Sequence, residues 1–314
     1  MKRLSMRICT LVCISLSLLC MGCSLPSFDK EPELHIFEEE VDIGLSEPVD
    51  IIFIADTHIS LCDERDSDLK DKAKSRYSIF VSPDGIGADK VFASEMEFVG
   101  QEDPDLLILG GDIIDSAMYA SIDFVKEQLD TTGVPYIYGM GNHDFEYGNE
   151  YYTDKSYSEY LPRLSEVSAT SDGFQVVKHR DFAVLVVDDD NNQVTAAALD
   201  ALKELVSEGK PIILCMHVPI EPDAEYSANL IKKSIDAWGA YDDGRSRVLL
   251  GDHGCIPNDT TREFIDIVKS DDSNVKTVLA GHVHFTDESN LTDNLTQAVT
   301  GAGFEGNMIH LTLK

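Results

Sequence analysis

Short apolar runs alternate with longer stretches in which apolar residues recur at helical spacing. Six runs of four to seven residues are almost continuously apolar, which is typical of strands buried on both faces of a sheet. They are predicted at 49–55, 106–109, 134–138, 182–187, 211–216 and 276–280. Helices are predicted between them at 91–101, 121–129, 194–207 and 261–270. This alternation predicts a layered α/β domain.

The start of the chain has a different pattern. Three basic residues, Lys2, Arg3 and Arg7, precede an uncharged and mostly apolar run at 8–22. This run is shorter than the roughly 20 residues of a membrane-spanning helix, so a signal peptide is predicted. Its end resembles a bacterial lipobox, in which Gly22 precedes the lipid attachment site Cys23, although Cys20 stands where Leu is usual. An uncleaved N-terminal anchor is the alternative.

The predicted organisation has three parts. A signal peptide of the lipoprotein type covers 1–22, and a Pro-rich, acidic tether with one edge strand near 34–41 covers 23–48. A single domain covers 49–314. Both interpretations of the N-terminus place this domain outside the cytoplasm, bound to a membrane of the bacterial cell envelope.

The charge balance limits the partners that the domain can bind. The chain has 25 Lys and Arg against 57 Asp and Glu, a net charge of −32. Such a surface repels a nucleic-acid polymer, although bound metal ions can still attract a small anion locally. Pairing of Cys62 with Cys255 is conceivable, but the cysteines do not indicate a disulfide framework. No protein partner is indicated.

Polar residues follow five of the six predicted strands. They are Asp56, His58, Asp112, Asn142, His143, His217, His282 and His284. Ligands of open α/β sheets bind beyond the carboxyl ends of the strands, so we expect these side chains to meet at one edge. Carboxylate, amide and imidazole without thiolate suit Mn, Zn or Fe better than Ca. Asp112 has two oxygens and could bridge two ions at about 3.5–4 Å.

These segments together resemble the calcineurin-like metallophosphoesterase superfamily. The motifs are D-x-H at 56–58, G-D-x-x-D at 111–115, G-N-H-D at 141–144, His217 and G-H-x-H at 281–284, in the family's order. The resemblance implies a four-layer α/β/β/α sandwich with two divalent metal ions. It implies that Asp56, His58 and His284 bind one ion, that Asn142, His217 and His282 bind the other, and that Asp112 bridges them. His143 is implied to protonate the leaving group, and Asp115 to orient its ring.

The predicted function is hydrolysis of a small phosphate ester, most simply a phosphodiester, with a hydroxide that bridges the metals as the nucleophile. Ser116-Ala117 after Asp115 differs from the Arg-Gly of serine/threonine protein phosphatases, and the pattern is nearer to that of small phosphodiesterases. A phosphomonoesterase of the same fold is the alternative within the enzyme class. A catalytically inactive surface binding module is the alternative outside it.

Three long segments separate the motifs and are interpreted as insertions, near 59–90, 145–172 and 220–259. Long loops inside a compact domain are usually functional or disordered. The third insertion is rich in aromatic and basic residues for so acidic a chain, and we expect it to form a cap over the metals. Its candidate substrate contacts are Trp238, Arg245 and His253, although an ordinary loop histidine is the favoured interpretation of His253.

Overall fold

The structure is a computed structural model that describes residues 30–145, 154–170, 172–189, 191–238 and 248–314. The predicted signal peptide and Cys23 lie outside these ranges, as does Arg245. The side chain of Trp238 is also outside the described part. Within these ranges, none of the helices has the length and apolar character that crossing a membrane requires.

Eleven strands among the described residues form two sheets. The first sheet has the order β1-β11-β2-β3-β4 and the second the order β5-β6-β7-β8-β10-β9. The strands are β1 (His35–Val41), β2 (Val49–Ile54), β3 (Leu106–Gly110), β4 (Tyr136–Gly139), β5 (Phe174–Lys178), β6 (Ala183–Val187), β7 (Ile212–Met216), β8 (Val275–Ala280), β9 (Asp287–Thr292), β10 (Leu295–Val299) and β11 (Asn307–Leu313). β2, β3 and β4 run parallel to one another, as do β6, β7 and β8.

Helices lie along both sheets. They are α1 (Lys70–Tyr77), α2 (Ala88–Glu102), α3 (Tyr119–Thr132), α4 (Asn142–Phe145), α5 (Asp154–Leu164), α6 (Ala196–Glu208), α7 (Ala224–Trp238) and α8 (Asp259–Val268). Their ends follow from local chemistry. The side chain of Thr195 accepts a hydrogen bond from the backbone N of Ala198 at 3.1 Å and so begins α6, and Gly209 ends it with a φ of 73°.

Side-chain alternation along the strands builds the layers. Ile52 and Ile54 of β2 pack with Phe92 of α2 in one core, between the first sheet and its helices. Ile51 and Phe53 of the same strand face the opposite way and pack with residues of the second sheet. A third core joins the second sheet to α6 and α8. Because successive side chains of a strand point to opposite faces, each sheet packs on helices with one face and on the other sheet with its second face. The layers are therefore helices, first sheet, second sheet and helices. The predicted α/β/β/α sandwich is confirmed.

All six predicted strands and all four predicted helices form, within a few residues of their expected ends. The edge strand near 34–41 forms as β1 and pairs in parallel with β11. β11 itself was not predicted, although it lies between β1 and β2. Its polar residues His310 and Thr312 interrupt the apolar run that marks a strand buried on both faces. Ile309 to Leu313 instead alternate between apolar and polar over five residues, which is the pattern of a half-buried strand.

Candidate metal centre

The seven predicted metal ligands follow strands of both sheets. Those after β2, β3 and β4 belong to the first sheet, and those after β7 and β8 to the second. They are Asp56, His58, Asp112, Asn142, His217, His282 and His284. Hydrogen bonds join the segments that follow neighbouring strands. The backbone N of His58 donates to the carbonyl oxygen of Asp112 at 2.9 Å, and the backbone N of Gly281 donates to the carbonyl oxygen of His217 at 3.0 Å. The strand ends therefore meet within each sheet, and a hydrogen bond from the backbone N of His282 to Oδ2 of Asp56 at 2.7 Å joins the segments of the two sheets. The sequence predicted a meeting at one edge of a single sheet, whereas the ligand candidates come from both sheets.

The backbone of these segments is unusual. Five of the seven ligand candidates have a positive φ, with values of 58° at Asp56, 50° at His58, 52° at Asp112, 71° at His282 and 56° at His284. Residues with a side chain disfavour this left-handed region, and such conformations concentrate at functional sites. The folded chain therefore imposes a specific backbone where the ligands stand.

Asp56, His58 and His284 form the first candidate ligand group. The Nε2 atoms of the two histidines are 2.9 Å apart, and Nε2 of His284 is 3.2 Å from Oδ1 of Asp56. The other oxygen of Asp56 accepts a hydrogen bond from the backbone N of His282 at 2.7 Å. Oδ1 is buried without a hydrogen-bond partner among the described residues. Two imidazole nitrogens this close repel unless a proton or a cation lies between them, so the arrangement fits a cation.

The second group contains Asp112, His217 and His282. Nε2 of His217 lies 3.1 Å from Oδ2 of Asp112 and 3.1 Å from Nδ1 of His282. The other ring nitrogen of His217 lies 3.0 Å from the carbonyl oxygen of Gly110, to which it can donate. A hydrogen bond of this kind fixes the tautomer of a metal-binding histidine and leaves the second nitrogen for the metal.

Asp112 connects the two groups. Its Oδ2 atom, close to His217, is also 3.9 Å from Nε2 of His58. Its Oδ1 atom accepts a hydrogen bond from the backbone N of His143 at 2.6 Å. Nearby, Oδ1 of Asn142 is buried without a hydrogen-bond partner in the part of the chain that the structure describes. The donor set and these buried oxygens fit divalent metal ions held by Asp, Asn and His.

The electrostatics of the two groups favour bound cations. Burial disfavours charge on Asp56 and Asp112, but the imidazoles beside them outweigh burial and hold the pKa of both carboxyls below its usual range. Burial lowers the pKa of His58 to about 4, so this imidazole is neutral at pH 7. Burial acts in the same direction on His217, but the charge of Asp112 raises the pKa of His217 to about 10. A metal ion that binds there would displace that proton.

His143 and Asp115 lie beside the metal groups and contact each other. Nδ1 of His143 is 2.7 Å from Oδ1 of Asp115, which is also 3.5 Å from Nδ1 of His58. Burial opposes a charge on His143, but Asp112 and Asp115 outweigh it and raise the pKa of His143. His143 also forms a third possible ligand group with His58 and Asp112. The contact with Asp115 fits a proton donor, and the third group leaves a role as a ligand open.

Asp144 is a site residue whose role the sequence did not reveal. Its side chain is fully buried and accepts hydrogen bonds from the backbone N of Asp112, Ile114 and Gly141 at 2.7–2.9 Å. The hydroxyl of Tyr138 donates to it at 2.5 Å. Burial, followed by the charge of Asp112, raises the pKa of Asp144 to about 7. The carboxyl therefore holds together the segments that carry two motifs.

Asp189 plays a similar part after β6, the strand whose end the sequence interpretation left without a role. It accepts hydrogen bonds from the backbone N of His217 at 2.8 Å and of Val218 at 2.9 Å. Its position after a buried strand was a signal that could have identified it. The backbone groups that bind Asp189 belong to a distant segment of the chain, and the spacing of residues in the sequence does not show such contacts.

The insertions contribute to the surroundings of the site in different ways. In the first, the ring of Phe80 stacks on that of His58, with centroids 3.9 Å apart. In the third, α7 packs against Val283 of the last motif and against Phe285, which follows that motif. His253 contacts Glu221 and is outside the three candidate ligand groups. Cys62 and Cys255 do not form a disulfide with each other. The predicted substrate contacts at Trp238 and Arg245 stay predictions.

Comparison with known proteins connects this geometry to a family. The sequence model of the calcineurin-like phosphoesterases matches residues 49–285. The chain belongs to the calcineurin-like phosphoesterase family. The predicted membership is thereby confirmed, and a calcineurin-like phosphoesterase is a metal-dependent hydrolase of phosphate esters. None of the curated proteins matches the sequence significantly.

Solved structures with the same fold are distant from this calcineurin-like phosphoesterase in sequence. A purple acid phosphatase from yellow lupin (Lupinus luteus) is 11% identical with a TM-score of 0.51, and the match covers 84% of this chain and 45% of the lupin chain. A dimetal phosphatase from Danio rerio is 12% identical with a TM-score of 0.48, over 82% of this chain and 88% of that one. At this identity the lupin structure supports the fold alone.

Proposed function

We propose that this protein is a phosphodiesterase that uses two divalent metal ions, with Mn, Zn and Fe as the candidates. The observation that carries the proposal is the shared carboxylate: Oδ2 of Asp112 faces His217 of one ligand group and His58 of the other. Asp56, His58 and His284 would hold one ion, and Asn142, His217 and His282 the other. Asp112 would bridge them.

The metals, when bound, would neutralise charge on the ester and lower the pKa of water so that a hydroxide can attack phosphorus. The chain's own residues have separate tasks. Asp115 holds Nδ1 of His143, which leaves Nε2 of that ring to give a proton to the leaving oxygen. Asp144 and Asp189 keep the ligand segments in place through their backbone hydrogen bonds.

A diester is proposed because of charge. A phosphodiester has one negative charge near neutral pH, whereas a monoester has between one and two, since its second pKa is about 6. The chain has a net charge of −32, and a field of this sign repels the more highly charged substrate more strongly. The small phosphodiesterase-like motif pattern agrees with this choice.

The experiment is an assay of the purified protein with added Mn or Zn on two chromogenic esters. We expect kcat/KM to be higher for bis-p-nitrophenyl phosphate than for p-nitrophenyl phosphate. A higher value for the monoester would overturn the diester assignment and identify a phosphomonoesterase. No hydrolysis of either ester by metal-loaded protein would favour the inactive binding module.

We further propose that the domain is held at a membrane of the bacterial cell envelope through a lipid on Cys23. The basic start, the short apolar run and Gly22-Cys23 support this proposal. The substrate would then be a small phosphate ester outside the cytoplasm.

A further inference from the structure

Arg76 contacts the Asp115–His143 pair although it belongs to none of the family motifs. It lies in α1, within the first insertion, and its side chain is 10% exposed. Nε donates a hydrogen bond to Oδ2 of Asp115 at 2.7 Å, and Nη2 donates to Oδ1 at 3.0 Å. Nη2 is also 3.3 Å from Nδ1 of His143. Two parallel hydrogen bonds from a guanidinium fix both the position and the plane of a carboxylate.

A second contact fixes the guanidinium itself. Its central carbon lies 4.7 Å from the centre of the Phe80 ring, which stacks on His58. The backbone N of Phe80 donates to the carbonyl oxygen of Arg76 at 3.3 Å. The insertion therefore presents Arg76 and Phe80 together, one against Asp115 and the other against a metal-ligand candidate.

Asp115 needs such support because it faces two histidines. Its Oδ1 atom is 2.7 Å from Nδ1 of His143 and 3.5 Å from Nδ1 of His58. A carboxylate that could turn between two rings would orient neither of them. The paired bonds from Arg76 remove this rotation and leave Oδ1 directed at His143.

We propose that Arg76 is a positioning residue for proton transfer by His143, acting through Asp115. This inference rests on the proposed function, in which His143 protonates the leaving group. Direct binding of phosphate by Arg76 is the competing role. The Nε edge of the guanidinium, formed by Nε and Nη2, is already bound to Asp115, so the geometry favours positioning.

The test is a double-mutant cycle in the full-length, metal-loaded protein. Arg76→Met, His143→Gln and the double variant are assayed with an aryl and an alkyl phosphodiester. Arg76→Met should lower kcat by about 10–100-fold, as loss of an outer-sphere partner does, with little change in KM. The loss should be larger for the alkyl ester, whose leaving group needs a proton. In the His143→Gln background, Arg76→Met should change kcat less than about twofold, because residues that act through one another are not additive.

Two further variants separate position from charge and from stability. Arg76→Lys keeps the charge but loses the fork, so it should remain impaired. Arg163→Met is the matched control, because Arg163 makes a similar buried ion pair with Asp66 of the same insertion, at 2.8 Å. It should leave the difference between the two esters unchanged.

The possible results distinguish the two hypotheses. If His143→Gln retains full activity, the proposed role of His143 is wrong, and the positioning role is overturned with it. If His143→Gln is impaired but Arg76→Met costs equally much in both backgrounds, only the positioning role of Arg76 is overturned. The same loss in Arg163→Met would show general destabilisation and also overturn it.

Discussion

Single residues at this site depart from the conformations that their side chains prefer. A left-handed backbone costs roughly 1–2 kcal/mol at a non-glycine residue, and five ligand candidates adopt it. Hydrogen bonds between the segments hold these residues, such as the 3.0 Å bond from the backbone N of Asp56 to Gly111. Backbone hydrogen bonds of the fold itself therefore support the ligand geometry, which favours metal binding by reducing the ordering that binding requires.

The division of roles between Asp112 and His143 gives a prediction at this scale. Asp112→Asn should lose bound metal, and with it the stability that the metal lends to the fold. His143→Gln should keep its metal and its melting temperature, while kcat falls by roughly 10²–10⁴, the usual contribution of a positioned general acid. Metal analysis, thermal unfolding and kinetics of both purified variants measure this difference.

The same measurements decide whether His143 binds metal as a member of the third ligand group, together with His58 and Asp112. Loss of metal from His143→Gln would make His143 a ligand and contradict the proposed division. Full activity with full metal content in both variants would contradict the two-metal assignment itself.

The sequence predicted the ligand candidates but not the residues that support them. His217 and His282 could be found because each lies within two residues of the end of a predicted strand. Asp144 and Arg76 could not, because their roles depend on hydrogen bonds to segments that are distant in the chain. The local sequence around a turn-forming carboxylate or a helical arginine is the same whether or not the side chain contacts a functional site.

At the scale of single elements, α2 contains an unusual buried acid. Glu95 lies in the middle of the helix with 0% exposure, and both of its carboxyl oxygens are without a hydrogen-bond partner among the described residues. Burial raises its pKa well above the ordinary value of 4.5. The apolar residues of α2 recur at helical spacing on one face, so their periodicity predicted the helix. It gave no indication that the single acid on that face, Glu95, is buried.

Glu95 should make the stability of the fold depend on pH. The contribution of Glu95 to the free energy of unfolding is fully present below its unfolded pKa of about 4.5 and is lost as pH rises toward its raised folded pKa. The loss is about 1.4 kcal/mol for each unit by which the folded pKa exceeds the unfolded one. Glu95→Gln removes this titration. Urea unfolding should show equal stability of the two proteins near pH 4 and a more stable variant at pH 7.

The matched control is Glu97→Gln, since Glu97 is an exposed acid on the same helix. It should follow the wild type at every pH. A Glu95→Gln protein whose stability declines with pH in parallel with the wild type would show that Glu95 is not the titrating group.

At the scale of the whole molecule, the predicted lipid on Cys23 would determine where the enzyme acts. Each buried CH₂ of an acyl chain contributes about 0.8 kcal/mol to membrane binding. Cys23→Ala should therefore abolish labelling by a radioactive fatty acid and release the protein from the membrane fraction. Cys13→Ala, in the apolar run but outside the lipobox, is the matched control and should retain the label. An unlabelled wild type that stays on the membrane with an intact N-terminus would favour the uncleaved anchor.

The position of β11 has a consequence for synthesis of the chain. β11 pairs with β1 on one side and with β2 on the other, yet residues 35–54 and 307–313 lie far apart in the chain. β2, β3 and β4 can pair as soon as they have been synthesised, whereas β1 cannot pair until β11 has been synthesised. Until the ribosome has released residue 313, β2 therefore presents an unpaired edge to other chains. Such edges promote aggregation, so a newly made chain would need a chaperone or rapid export until β11 has paired.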